Sequence, residues 1–169
     1  MMLNLFKVGI FSFVVAFAPS SGLAKPMTSA DDFSMRFFQQ IAKGKPNENF
    51  VLSGESLKTV LLMLQDGATG VTQRELSQAL CGRSQLCQMP VLPHQESYQA
   101  ANAMWVKKGL AVNADYQKNI QTVYQGKVES VDFQKEKSNA VKKINTWTKE
   151  NTGGMIPEIL NEKDVDGST

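Results

Sequence analysis

The sequence predicts an α+β fold in which helices come first and strands separated by helices follow, with the sheet left incomplete. Three observations carry this. In "SADDFSMRFFQQIAKG" the residues Phe33, Phe37, Phe38 and Ile41 recur at helical spacing. From Leu57 to Leu64 nearly every side of the chain is apolar, which is the pattern of a helix buried all round. "YQAANAMWVKKG" and "KVESVDF" read as strands, with a helical pattern between them. Only two or three strands are in view, and two strands alone make no stable sheet.

The elements follow in order. "MMLNLFKVGIFSFVVAFAPSSGLAKP" has one early Lys, an apolar run from Val8 to Ala18 and small residues at Gly22-Leu23-Ala24, the anatomy of a secretory signal peptide over residues 1–24. The run is about half of the roughly 20 residues a spanning helix needs, which disfavours a permanent anchor. Residues 25–169 then form one domain. Its first helix has Ser29 and Asp32 as a capping pair and Gly44 as a stop. "NFVLS" reads as a short buried strand, and the apolar helix after it closes at Gly67. "TQRELSQALCG" places Thr72 and Glu75 in capping-box spacing and Gly82 at the exit. Residues 83–96, with Pro90 and Pro93, read as loop. After the strand carrying Met104, Trp105 and Val106 comes a helix with Tyr116, Ile120, Val123 and Tyr124 on one stripe, capped by Asn113 and stopped by Gly126. "KVESVDF" puts Glu129, Val131 and Phe133 on one face. The last helix carries Val141, Ile144, Trp147 and Thr148 on a narrow stripe and ends at Gly153-Gly154.

Charge excludes some partners. The chain carries 18 Lys and Arg against 16 Asp and Glu, and loss of the leader lysine brings it closer to neutral. No basic run is present, so neither nucleic acid nor an anionic membrane is expected as partner. Cys81 and Cys87 in "CGRSQLC" are candidates for a short local disulfide in an oxidising compartment, with two unpaired thiols as the alternative. A metal site is not expected, because the only histidine is His94 and no second cysteine pair exists.

Catalytic signatures fail one by one. Gly54-Glu55-Ser56 begins like a nucleophile elbow, but Lys58 stands where G-x-S-x-G requires its second glycine. Ser56 to Lys58 is one residue short of S-x-x-K. His94 lies in a proline-flanked loop, and "GATG" lacks both the spacing and the Lys of a phosphate loop. No enzyme and no cofactor are expected.

"NFVLSGESLKTVLLMLQDGATGVTQRELSQAL" closely resembles the opening of the serpins, a strand N-x-x-x-S, a buried helix and G-A-x-G-x-T. The resemblance continues through "ANAMWVKKGLAVNADYQKNIQTVYQGKVESVDF" and into "INTWTKENTGGMIPEIL", from Asp31 to Thr169. It implies a serpin-like α+β fold, here the N-terminal helices and the first strands of a central sheet. It also implies a suicide inhibitor of serine, or alternatively cysteine, endopeptidases. In such a protein a reactive loop near the C-terminus is cleaved and inserts as a new strand into that sheet. The reactive-loop region would lie beyond Thr169, so a target protease is expected as partner of the full-length form only. An exported binding module or a remnant without function is the alternative.

The resemblance also assigns residues. Asn49, Ser53 and Ser56 match a polar cluster under the part of the sheet that must open, while capping of the following helix explains the two serines equally well. Trp147 and Thr152 match the helix covering the sheet, with structural roles. Gly54 replaces the family's usual proline, which bears on the rigidity of that turn. The loop at residues 83–96 stands where many serpins carry a basic helix, and with Arg83 its only Lys or Arg, glycosaminoglycan binding is not expected. The protein is expected outside the cytoplasm, secreted or periplasmic, with no membrane contact once the leader is removed.

Overall fold

Ser53 starts the first well-defined helix. Its backbone is extended and its hydroxyl accepts the Ser56 N–H, an arrangement that satisfies one of the free donors at a helix start. The computed structural model describes residues 8–16, 29–82, 86–89 and 98–165. They fall into a helical unit within Ala16–Tyr98 and a sheet unit made of Met1–Val15 with Gln99–Thr169.

The helical unit contains α1 (Ser29–Lys43), α2 (Gly54–Gly67) and α3 (Gly70–Cys81). On α1 the rings of Phe33 and Phe37 stack, while Phe38 lies against Phe50 and stays 45% exposed. Ser34 donates to Glu55 at 3.2 Å and the Arg36 guanidinium donates to the Ala79 carbonyl at 3.1 Å, tying α1 to both later helices. The expected strand at "NFVLS" is not formed. Residues 48–53 run without regular structure and Val51 is fully exposed, because among the described residues this segment has no strand to pair with. All-round burial of α2 also needs correction. Lys58, Thr59, Leu62, Met63 and Gln65 are buried, whereas Leu57, Leu61 and Leu64 are only half-buried, so the helix is covered on one side within its unit. The start of α3 lies at Gly70 rather than at Thr72. Gly70 adopts φ +65°, a region open to glycine, and turns the chain into the helix ahead of the expected capping box. Gly82 closes α3 in the left-handed conformation as expected. Arg83, Pro90, Pro93 and His94 lie outside the described residues, as do the side chains of Ser29 and Asp32.

Gly54 is explained by space. A Cβ there would stand 2.5 Å from both Cβ and Oγ of Ser34. Its φ is not in the left-handed region, so the position needs a missing side chain and not an unusual backbone. Gly54→Ala is therefore expected to destabilise the helical unit by about 1–3 kcal/mol, as overpacking does. Thermal denaturation would show part of that loss restored by the second change Ser34→Gly, which removes Cβ and Oγ but leaves the Ser34 Cα 2.8 Å from the added Cβ, and two additive losses would mean the contact is not the cause.

The sheet unit contains β1 (Val8–Ala16), β2 (Tyr98–Lys107), α4 (Ala114–Thr122), β3 (Lys127–Val131) and α5 (Lys137–Asn151). The strand order is β1-β2-β3. β2 and β3 run parallel, with Ala103 opposite Lys127 and Lys107 opposite Val131, and α4 provides the crossover that parallel strands require. Asn113 caps α4 by accepting the N–H groups of Asp115 and Tyr116 at 2.8 and 3.1 Å. The helix ends before Gly126, whose N–H returns to the Ile120 carbonyl at 2.9 Å, and Val123 is left exposed. The apolar run assigned to a leader supplies β1 in this chain. An apolar segment without charges fits the open side of β2, whose central residues Ala101 to Val106 are all buried.

Above the sheet lies α5. Ala103 and Trp105 from β2, with Val131 and Phe133 from β3 and the turn after it, meet Ala140, Val141 and Ile144 of α5. This is the apolar core of the unit, and the half-buried Trp147, Ile159 and Leu160 pack against it.

Candidate functional site

The sequence singled out a polar cluster before α2. The structure brings two of its three members together. The Ser56 hydroxyl donates to Ser53 Oγ at 2.9 Å, and the same oxygen accepts the Ser56 N–H at 3.1 Å. Asn49 is exposed. In the helical unit the two serines act as a cap.

Toward the other end of α2 lies a buried polar group that sequence reasoning missed. Gln65 is fully buried in α2, with its Oε1 accepting from the Ser77 hydroxyl at 2.8 Å and from the Cys87 N–H at 3.4 Å. Its Nε2 donates to the Cys87 carbonyl at 3.0 Å. The Sγ atoms of Cys81 and Cys87 are bonded to each other, with their Cα atoms 6.2 Å apart. A lone glutamine among aliphatic residues was the available signal, and it stood in plain view within "LLMLQDG".

On α5, Trp147 sets its ring edge-on to Trp105 with centroids 5.9 Å apart, a favourable aromatic geometry. Thr152 is buried beyond the helix end, where its hydroxyl donates to the Thr148 carbonyl at 2.8 Å and accepts the Ile156 N–H at 3.1 Å. Gly154, at φ +79°, returns its N–H to the Lys149 carbonyl, so the helix is closed by a left-handed turn. Asn145 was also missed. Its amide accepts from Ile159 and Leu160 N–H at 3.0 Å each and donates to the Leu160 carbonyl at 2.8 Å, pinning the chain after α5 onto the helix.

Charges gather where β3 meets α5. The Lys127 ammonium stands 2.7 Å from a Glu129 oxygen, and Lys143 from α5 pairs with the other. Partial burial works against the Glu129 charge, but hydrogen bonds from Lys127 and Lys143, with their positive charge, outweigh it and hold the carboxyl below its ordinary range. Asp132 is lowered as well, chiefly by the Lys135 backbone N–H at 2.8 Å. Both carboxylates bind protons less readily folded than unfolded. Their stabilisation is therefore complete above the ordinary carboxylate range of about 4 and is lost as pH falls through the lowered folded values. Stability measured by urea titration should be flat near neutrality and fall below about pH 4, and Glu129→Gln should make that fall shallower. An unchanged acid limb in the variant would remove Glu129 from the account.

Chemically, these groups hold structure. Among the described residues no three His, Cys, Asp or Glu side chains stand together as a metal site. An open concavity of about 840 Å³ between α5 and the chain that follows it is lined by Lys142, Lys149, Glu150 and Glu158, charges of both signs.

Comparison with known proteins gives one pattern. A family model described as serpin (serine protease inhibitor) matches residues 28–169. Glia-derived nexin of Rattus norvegicus is 31% identical over 146 residues, a stretch covering 81% of this chain and 36% of the relative. Leukocyte elastase inhibitor of Equus caballus is 30% identical over 152 residues, covering 84% of this chain and 40% of the relative. The solved structure of ovalbumin from emu (Dromaius novaehollandiae) superposes with a TM-score of 0.70 at 22% identity, over 82% of this chain and 42% of that one, which speaks to the fold. The chain thus spans well under half the length of these relatives.

Proposed function

The chain belongs to the serpin family, and from that premise we propose that it is the N-terminal portion of an exported serpin-type inhibitor of serine, or alternatively cysteine, endopeptidases. The observation that carries this reading is the family match over residues 28–169, which runs through α1 to α5 and leaves a sheet of few strands. In the proposed full-length protein the sheet continues beyond β2, and the trap works by adding a cleaved loop to it as a strand. The inhibitor is consumed rather than turned over, so the protein is not an enzyme and uses no cofactor. Residues 1–24 act as the leader, and the partner is the target protease.

Within this reading the Ser53–Ser56 pair, with Asn49, eases parting of the sheet by offering hydrogen bonds in both the closed and the opened state. Trp147 and Thr152 keep α5 seated. The test is to read the coding frame beyond Thr169, express the whole product without its leader, and titrate it against a protease panel. A protease complex that survives boiling in detergent is the expected outcome. A frame that adds no further strands and no exposed loop would leave inhibition without a means.

One observation favours a second reading. β1 gives this chain a three-stranded sheet of its own, and three strands backed by a helix can stand independently. Under that reading residues 1–24 stay attached and the chain is an interaction module, which would bind a partner without ever forming a covalent protease complex.

A further inference from the structure

The segment Leu86–Met89 has no helical or strand bonds, yet Cys87 within it is buried to 7% exposure. Two devices hold it there. One is the covalent bond to Cys81, the last residue of α3. The other is Gln65, whose amide grips both the N–H and the carbonyl of Cys87 while also receiving the Ser77 hydroxyl. We propose that Cys81–Cys87 is a redox latch on the α2–α3 pair, with Gln65 as the positioning residue that makes the latch cooperative with the two helices.

The physical reason is a balance between ordering and bonding. Two neutral hydrogen bonds, one of them 3.4 Å long, contribute less than it costs to order the backbone of four residues. With the disulfide closed, residue 87 is already near its clamp and the hydrogen bonds decide the outcome. With the disulfide open, that advantage is lost and the segment leaves. Its departure leaves the Gln65 Nε2–H without the Cys87 carbonyl and Oε1 with the Ser77 hydroxyl alone, and a buried amide donor without an acceptor is costly, so water must enter between α2 and α3. Thr59 of α2 also loses its contact with Met89.

Access sets the direction of the chemistry. Cys81 is the less buried of the two residues, so in this proposal the external dithiol attacks there. Its thiolate attacks Cys81 Sγ, the protein disulfide breaks, and Cys87 leaves as a thiolate that takes a proton. The second thiol of the reductant then attacks the mixed disulfide, releasing Cys81 as a thiol and the reductant as its own disulfide. Two electrons pass from the dithiol to the protein.

The experiment is hydrogen exchange of the full chain, read by mass spectrometry with and without dithiothreitol, with alkylation mass shifts reporting the cysteine state. On reduction, amides of residues 86–89 and of the C-terminal halves of α2 and α3 should exchange at least tenfold faster, while β3 and α5 stay unchanged. Cys81→Ser with Cys87→Ser should show the fast pattern under both conditions. Gln65→Leu, which keeps the disulfide, should speed exchange at 86–89 alone. Free thiols in the untreated protein, equal exchange in the two redox states, or acceleration spread evenly over β3 and α5 would each overturn the latch. A wild-type pattern in Gln65→Leu would overturn the role given to Gln65.

Discussion

Trp105→Ala should cost the sheet unit about 3–5 kcal/mol, the usual range for removing a large aromatic from a packed core. Trp105 is fully buried at the centre of the cluster that joins β2, β3 and α5, with the edge of Trp147 on one side and the Lys127 ammonium 5.3 Å from its ring centroid. Its removal would leave a void that reaches from the sheet to the helix. Since whole domains are stable by only about 5–15 kcal/mol, the variant should sit near its unfolding midpoint at ordinary temperature. Urea denaturation followed by the fluorescence of Trp147 would measure this. Trp105→Phe should lose distinctly less than its lost volume suggests, because the Trp105 Nε1–H is buried without a hydrogen-bond partner among the described residues and phenylalanine carries no such donor. A loss below about 1 kcal/mol for Trp105→Ala would mean that the neighbouring elements close over the void.

Removing residues 1–24 should change the association state of the chain. β1 lies beside β2, and its loss leaves a two-stranded parallel pair with one bare backbone edge in the middle of a buried, apolar strand. Unpaired edges of this kind recruit other strands, and two strands alone are marginal. Residues 25–169 should therefore sediment as large species or bind apolar dye strongly, whereas the whole chain should do both less. The same edge is where the proposed full-length protein would continue its sheet. A monodisperse fragment that unfolds cooperatively and binds no dye would show that the edge of β2 does not need β1 to stay covered.

Much of this architecture was legible because it is written in local terms. Asn113 caps α4, the Val141, Ile144 and Thr148 stripe faces the sheet, and Gly82 closes α3. For the two helix ends the decisive partner lies within a turn of the chain, and for the stripe the helical spacing alone determines which residues share a face. The alternation in "KVESVDF" also placed Glu129 with Val131 and Phe133, and it is on that face that Glu129 meets Lys143 of α5.

Tertiary structure decided what depends on partners far along the chain. Nothing local distinguishes "NFVLS" as a strand from the irregular segment it forms, because a strand exists only with a neighbour. The run Val8–Ala16 has the composition of a leader, and that composition says nothing of its place as β1 beside β2, which lies far along the chain. Gly54 looked like a matter of turn stiffness until Ser34, twenty positions earlier, was found where its side chain would go. Gln65 and Asn145 read as ordinary polar positions on helices, yet Gln65 fastens an irregular segment by two hydrogen bonds to Cys87 and α3 by one from Ser77, and Asn145 fastens the chain after α5 by three. Sequence patterning records which way a residue must face in its own element; what waits on that side is determined only when the elements pack and each buried polar group has to find its partner.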